Sequence, residues 1–309
     1  MAYDSESDQV ILFGGETNPH SGAIGGTWAY DLGEHKWREM SPDRNPAPGA
    51  GGDSFAYDIQ SDRVIMFVGS YFYGANQNPP GKAAGETWAF DFNNDTWADM
   101  QPAVSPFGIV GARMAYDEES DRMILFGGAD ADSFEPVDAT WAYDFDSNSW
   151  EKLDPPVAPP PMNFHSMAYD SRSDRVILLG TALAEGMWAY DFNSDTWEPL
   201  LPRAMPPFRA YSSMVYDAGS DQMILFGGAS TPTEEALGDT WAYDTADNTW
   251  TELTTDTQPD ARGWHATAYS MAARMVLLFG GGPDREKFTS ETWVYDPARN
   301  LWRLELAAP

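Results

Sequence analysis

The stretch Met114-Ala115-Tyr116-Asp117-Glu118-Glu119-Ser120-Asp121-Arg122-Met123-Ile124-Leu125-Phe126-Gly127-Gly128 holds the grammar of the whole chain. A short strand ends in Tyr-Asp, a polar turn follows, and an aliphatic run closes on paired glycines. After a variable loop, Thr140-Trp141-Ala142-Tyr143-Asp144 alternates as a half-buried strand does, and an Asp/Asn/Ser-rich turn leads to Trp150 and a fourth strand.

The same unit recurs along the chain, which is the sequence signature of a repeat architecture. The Tyr-Asp tyrosine returns as Tyr3, Tyr57, Tyr116, Tyr169, Tyr216 and Tyr269, the last followed by serine. A first tryptophan follows in each unit at Trp28, Trp88, Trp141, Trp188, Trp241 and Trp293, and a second lies nine residues later at Trp37, Trp97, Trp150, Trp197, Trp250 and Trp302. Only Trp264, of 13 tryptophans, falls outside this pattern. No helical period appears. Four short strands per unit, repeated six times, predict an all-β, six-bladed propeller spanning residues 1–309 as one domain, with blades near 1–41, 42–101, 102–154, 155–201, 202–253 and 254–309.

This combination of Tyr-Asp, hydrophobic run, Gly-Gly, Trp-x-Tyr-Asp and trailing Trp resembles the kelch repeat along essentially the whole chain. Ser70 and Thr181 replace the second glycine in units two and four, Phe90 replaces one tyrosine, and the first unit has a short start. The resemblance implies blades of four antiparallel strands around a central channel, and most commonly a role in binding protein partners. The kelch family also includes galactose oxidase and a sialic acid epimerase. The cysteine-bonded tyrosine of galactose oxidase has no counterpart, because this chain has no cysteine. Disulfides and thiolate metal sites are excluded with it.

With 48 acidic against 18 basic residues the formal charge is −30, which repels nucleic acid and anionic membranes and fits either salt adaptation or plain solubility. No apolar run is long enough for a transmembrane helix. The N-terminus shows no signal-peptide pattern, so a cytoplasmic location and a monomer are the expectation.

Consensus positions serve packing and turns, so function is sought where the units differ. The resemblance places the blade-entry segments and the loops between strands two and three on one face, at a mouth of the channel. The second such loop is the longest, with Tyr71, Phe72 and Tyr73; the fourth, around Thr181 to Gly186, is the shortest. Four residues before each Tyr-Asp tyrosine stand Asp53, Ala112, His165, Ser212 and His265 in blades two to six. Asp53, His165 and His265 thus fall on alternate blades and suit a divalent ion, Zn2+ or else Fe2+ or Mn2+, with open positions for water and hydrolysis. No organic cofactor is expected. Phe164, Tyr211 and Trp264 precede the register and, with Tyr71 and Tyr73, are expected to wall a substrate site. Arg209 and Arg262 are expected to meet an anionic group of a substrate. The competing expectation is a non-catalytic interaction module that grips a peptide, protein or carbohydrate by its loop face. His20 is a further loop candidate. His35, Glu118 and Glu119 are expected in solvated turns on the opposite face.

Overall fold

The computed structural model describes residues 1–15, 24–47, 54–71, 82–231, 233–284 and 286–306, leaving aside the side chains of residues 70, 71, 82 and 83. The described chain is all strand, with no helix among the described residues. Its fold class is the β-propeller expected from the repeats. Each of six blades is a sheet of four antiparallel strands paired in sequence order. Blade one, for example, runs Ala2–Asp4, Gln9–Phe13, Thr27–Asp31 and Lys36–Glu39, and its innermost strand is the three-residue segment.

The chain divides into two compact units, one with blades one to three and one with blades four to six; residues 156–160 group with the second and 161–163 with the first. Within each unit, neighbouring blades share apolar clusters. Ile11, Phe13 and Ala29 pack with Val64, Met66 and Trp97 between blades one and two. Ile224 and Phe226 pack with Val276, Leu278 and Trp302 between blades five and six. Burying each large side chain contributes about 1.5–3 kcal/mol, so the second strands, such as Val176–Leu179 with three of its four residues at 0% exposure, are the main source of cohesion.

Three repeated hydrogen bonds explain the consensus. The Asp after each strand-one tyrosine caps the next turn: Asp58 accepts from the backbone N–H of Gln60 and Ser61. The tyrosine hydroxyl donates to the residue five positions on, as in Tyr57 to Asp62 and Tyr116 to Asp121, and these acids hold positive φ of 55° and 57°. The second tryptophan reaches into the preceding blade, where its indole N–H donates to a threonine hydroxyl: Trp97 to Thr27, Trp150 to Thr87 and Trp302 to Thr240, at 2.8–3.0 Å. In blade four that threonine is Met187, and the Trp250 indole N–H has no acceptor among the described residues.

The paired glycines have an equally local cause. Gly128 and Gly228 adopt φ of 96° and 105° and donate to the entry carbonyls of Met162 and Arg262 in the following blades. A Cβ on Gly228 would lie 2.8 Å from the Ala210 carbonyl oxygen, so only glycine admits this approach.

Candidate functional site

The entry segments and the loops between strands two and three are joined by backbone hydrogen bonds, as the resemblance implied. Ala131 donates to Gly108 in blade three and Thr231 donates to Phe208 in blade five. In the second unit, one residue of each entry segment sits in the left-handed region: Phe164 at φ 54°, Tyr211 at 57° and Trp264 at 58°. The Tyr211 N–H donates to the Phe164 carbonyl at 3.2 Å, and the Trp264 N–H donates to the Tyr211 carbonyl at 3.1 Å. This chain of bonds sets the three residues in a row, and their rings pack in succession, the first pair tilted at 40° and the second stacked. Phe164 and Tyr211 have centroids 4.7 Å apart, as do Tyr211 and Trp264, the latter pair at 28° between planes. All three rings are half-buried and form a continuous aromatic ledge.

The ledge carries a conformational cost. Left-handed geometry disfavours a side chain by about 1–2 kcal/mol per residue, and blade three meets the same requirement with Gly111 at φ 71°. The backbone needs the turn and has no need of a ring. Three aromatic residues held there are therefore a feature added to the fold.

The two arginines sit differently from the expectation. Arg209 forms a bidentate ion pair with Asp239 at 2.6 and 2.8 Å, and also donates to the carbonyls of Pro207 and Gly227. Arg262 repeats the arrangement, pairing with Glu291 at 2.8 Å and donating to Asp260 and Gly280. Both side chains are closed off from solvent, at 0% and 3% exposure. Each arginine staples an entry segment to its own blade, and its fork is taken up by protein acceptors rather than aimed at a ligand. In blades five and six the arginine coexists with an acid two residues before the first tryptophan; in sequence the two corresponding positions are Ile109 and Ala139 in blade three and Met162 and Gly186 in blade four, while blade two has the acid, Glu86, with Ala50 in place of the arginine. The Asp239 and Glu291 carboxylates also accept from the Trp241 and Trp293 indoles. Burial pushes both carboxyls up, but the Arg209 hydrogen bonds and charge at Asp239, and the Trp293 indole together with Arg262 at Glu291, outweigh it and hold both below the ordinary carboxylate range. These acids escaped the sequence reading; the signal was an acid two residues before a tryptophan, in the blades that carry the arginine.

His165 and His265 are buried at 0% and 7% exposure. Burial, reinforced by the Arg262 charge, pulls the His265 imidazole down to about 3, while the Phe226 and Arg262 carbonyls oppose this weakly without a hydrogen bond of normal geometry to either ring nitrogen. The ring packs edge-on to Phe226, with centroids 5.4 Å apart. Asp53, His20, Phe72 and Tyr73 lie outside the described residues, as does the side chain of Tyr71. Among the described residues no three His, Asp or Glu side chains gather to hold a metal ion. His35, Glu118 and Glu119 are exposed in their turns, as expected.

Beside the blade-six staple lies a cleft of about 460 Å³ lined by Asp260, Arg262, Lys287, Phe288 and Glu291 among others. Two exposed aromatics were not singled out by sequence: Phe107 on the blade-three entry and Phe134 in the adjoining loop.

Six blades of this pattern define a kelch-repeat β-propeller. Residues 155–306 match the model of the KLHDC2/KLHL20/DRC7 Kelch-repeats domain, and residues 2–180 match that of the attractin/LZTR1 beta-propeller. The second match spans more than half of the chain, which therefore belongs to the attractin/LZTR1 β-propeller family. A comparison with curated proteins finds no match. No helix is long and apolar enough to cross a membrane, among the described residues.

Proposed function

We propose that this chain is a non-catalytic interaction module that binds a segment of a protein partner across the ledge of Phe164, Tyr211 and Trp264. One observation carries this reading: three aromatic rings packed in a row occupy left-handed positions that blade three fills with glycine. Aromatic side chains offer large contact area at low entropic cost and are enriched where proteins bind one another. Kelch propellers generally bind protein partners. The polar groups first suited to catalysis have other roles, since the Arg209 and Arg262 forks are tied to protein acceptors and His265 is a neutral packed ring. The bound class is thus recognised mainly by its apolar face.

The test is photo-crosslinking from a photoreactive residue placed at position 264 or 211, with position 35 in an exposed turn as control. A specific protein adduct from 264 and 211, absent from 35, is expected. No protein adduct from the ledge, or equal capture from all three positions, would reject the reading.

A further inference from the structure

The blade-three loop between strands two and three presents a surface that the fold does not require. Its scaffold is three backbone hydrogen bonds: Asp130 donates to Glu135, Phe134 donates to Asp130, and Ala131 donates to Gly108. The Asp130 carboxylate caps the turn by accepting from the N–H groups of Asp132 and Ser133. Blade five builds the same scaffold, with Ser230 donating to Glu235, Glu234 to Ser230 and Thr231 to Phe208. The left-handed position holds Phe134 at φ 59° in one loop and Glu234 at 57° in the other. A polar residue therefore satisfies this turn, and its backbone geometry does not call for a phenylalanine.

Phe134 is 59% exposed, and Phe107, on the entry segment joined to the loop by the pairing of Ile109–Val110 with Ala129–Asp130, is 70% exposed. Pro207 takes the corresponding place in blade five, so this second ring is dispensable to the fold as well. Phe107 is held in place by its neighbours: Gly108 donates to Ala84, and the Ser105 hydroxyl donates to Gly85. Two large apolar groups thus each present more than half of their area to solvent on a well-braced surface.

The charged residues of the loop that carries Phe134 are all acidic. Asp130, Asp132, Glu135 and Asp138 flank Phe134, all exposed. No lysine or arginine occurs between Lys82 and Arg113, or between Arg122 and Lys152. Apolar anchors beside a cluster of exposed carboxylates complement one kind of partner.

We propose that Phe107 and Phe134 form a docking knob for a cationic protein segment, one that carries an aliphatic or aromatic side chain flanked by lysine or arginine. This surface goes beyond the ledge, lies in the other compact unit, and is tested without reference to it. The rings supply apolar burial and the four carboxylates supply orientation and rate of encounter.

The experiment is fluorescence anisotropy on the intact chain with three labelled synthetic peptides. One alternates lysine with leucine and phenylalanine, one replaces its lysines with glutamate, and one replaces its apolar residues with serine. The first is expected to bind and to weaken as salt rises from about 0.05 to about 0.5 M, with the other two bound much more weakly. Phe134→Glu, which installs the residue blade five already tolerates, should weaken binding roughly tenfold with unchanged Tm. It adds negative charge, so this loss reports the ring and not the field. Phe107→Ser should act in the same direction. Absence of binding by the first peptide would overturn the proposal. So would equal binding of the lysine–serine peptide, or binding untouched by Phe134→Glu, either of which reduces the interaction to general attraction by a polyanion.

Discussion

Replacing Arg209 by methionine separates the stapling role of this residue from a substrate-binding one. The methionine keeps the apolar stem volume and removes the fork that binds Asp239, Pro207 and Gly227. Breaking a buried ion pair from one side costs about 3–5 kcal/mol because the partner charge is left uncompensated. Asp239 retains 19% exposure and regains some hydration, which places the expected loss near the lower end, about 3 kcal/mol. At about 2.1 cal/mol/K per residue, 309 residues give an unfolding entropy of about 0.65 kcal/mol/K, so Tm should fall by about 5 °C. Differential scanning calorimetry at pH 7 reads this directly. The double variant Arg209→Met/Asp239→Leu removes both charges and should recover all but about 1 kcal/mol, the residue being the Trp241 indole that loses its acceptor. A Tm within about 1 °C of the parent for Arg209→Met would refute the staple.

Thr240→Val strips the acceptor from the Trp302 indole and should cost about 1–2 kcal/mol, read by urea unfolding. Because Met187 already denies Trp250 its acceptor, Trp250→Phe should cost about 1 kcal/mol less than Trp302→Phe; equal costs would contradict the assignment. The depressed His265 ionisation gives a pH dependence: the unfolded chain takes up a proton as pH falls through 6.5, whereas the folded chain resists until about 3, so stability is lost across that window. At pH 5 this amounts to about 2 kcal/mol, and Tm measured at pH 7 and pH 5 should differ less in His265→Gln than in the parent. Phe164→Gly relieves left-handed strain of about 1–2 kcal/mol while losing an aromatic pair worth about 0.5–1.5 kcal/mol beyond its area, so chemical denaturation should show a net change within about 1.5 kcal/mol.

The blades were legible because their determinants are local and repeated. A tyrosine followed in five units by an acid, and two tryptophans nine residues apart in all six, mark the turns and strands, and the structure pairs the strands in sequence order. The reason for the tryptophan spacing was less legible: the indole bond from Trp97 to Thr27 spans 70 residues, and no local pattern announces it. The candidate site was legible in register and not in role. Phe164, Tyr211 and Trp264 share one position in three units, and the structure does bring their rings together. Arg209 and Arg262 pointed toward a ligand only while their partners, 30 and 29 residues away, were unknown. The left-handed turn at Phe134 was hidden because its neighbours carry no glycine, so only the backbone geometry separates it from an ordinary acidic loop.

The central claim is that the ledge is a protein-binding surface. The most direct measurement is calorimetric titration of the protein crosslinked from position 264 into the parent chain and into Trp264→Gly. The account predicts an affinity loss of at least roughly tenfold, about 1.4 kcal/mol, with the folded state retained by circular dichroism. Equal affinity for the two proteins would contradict it.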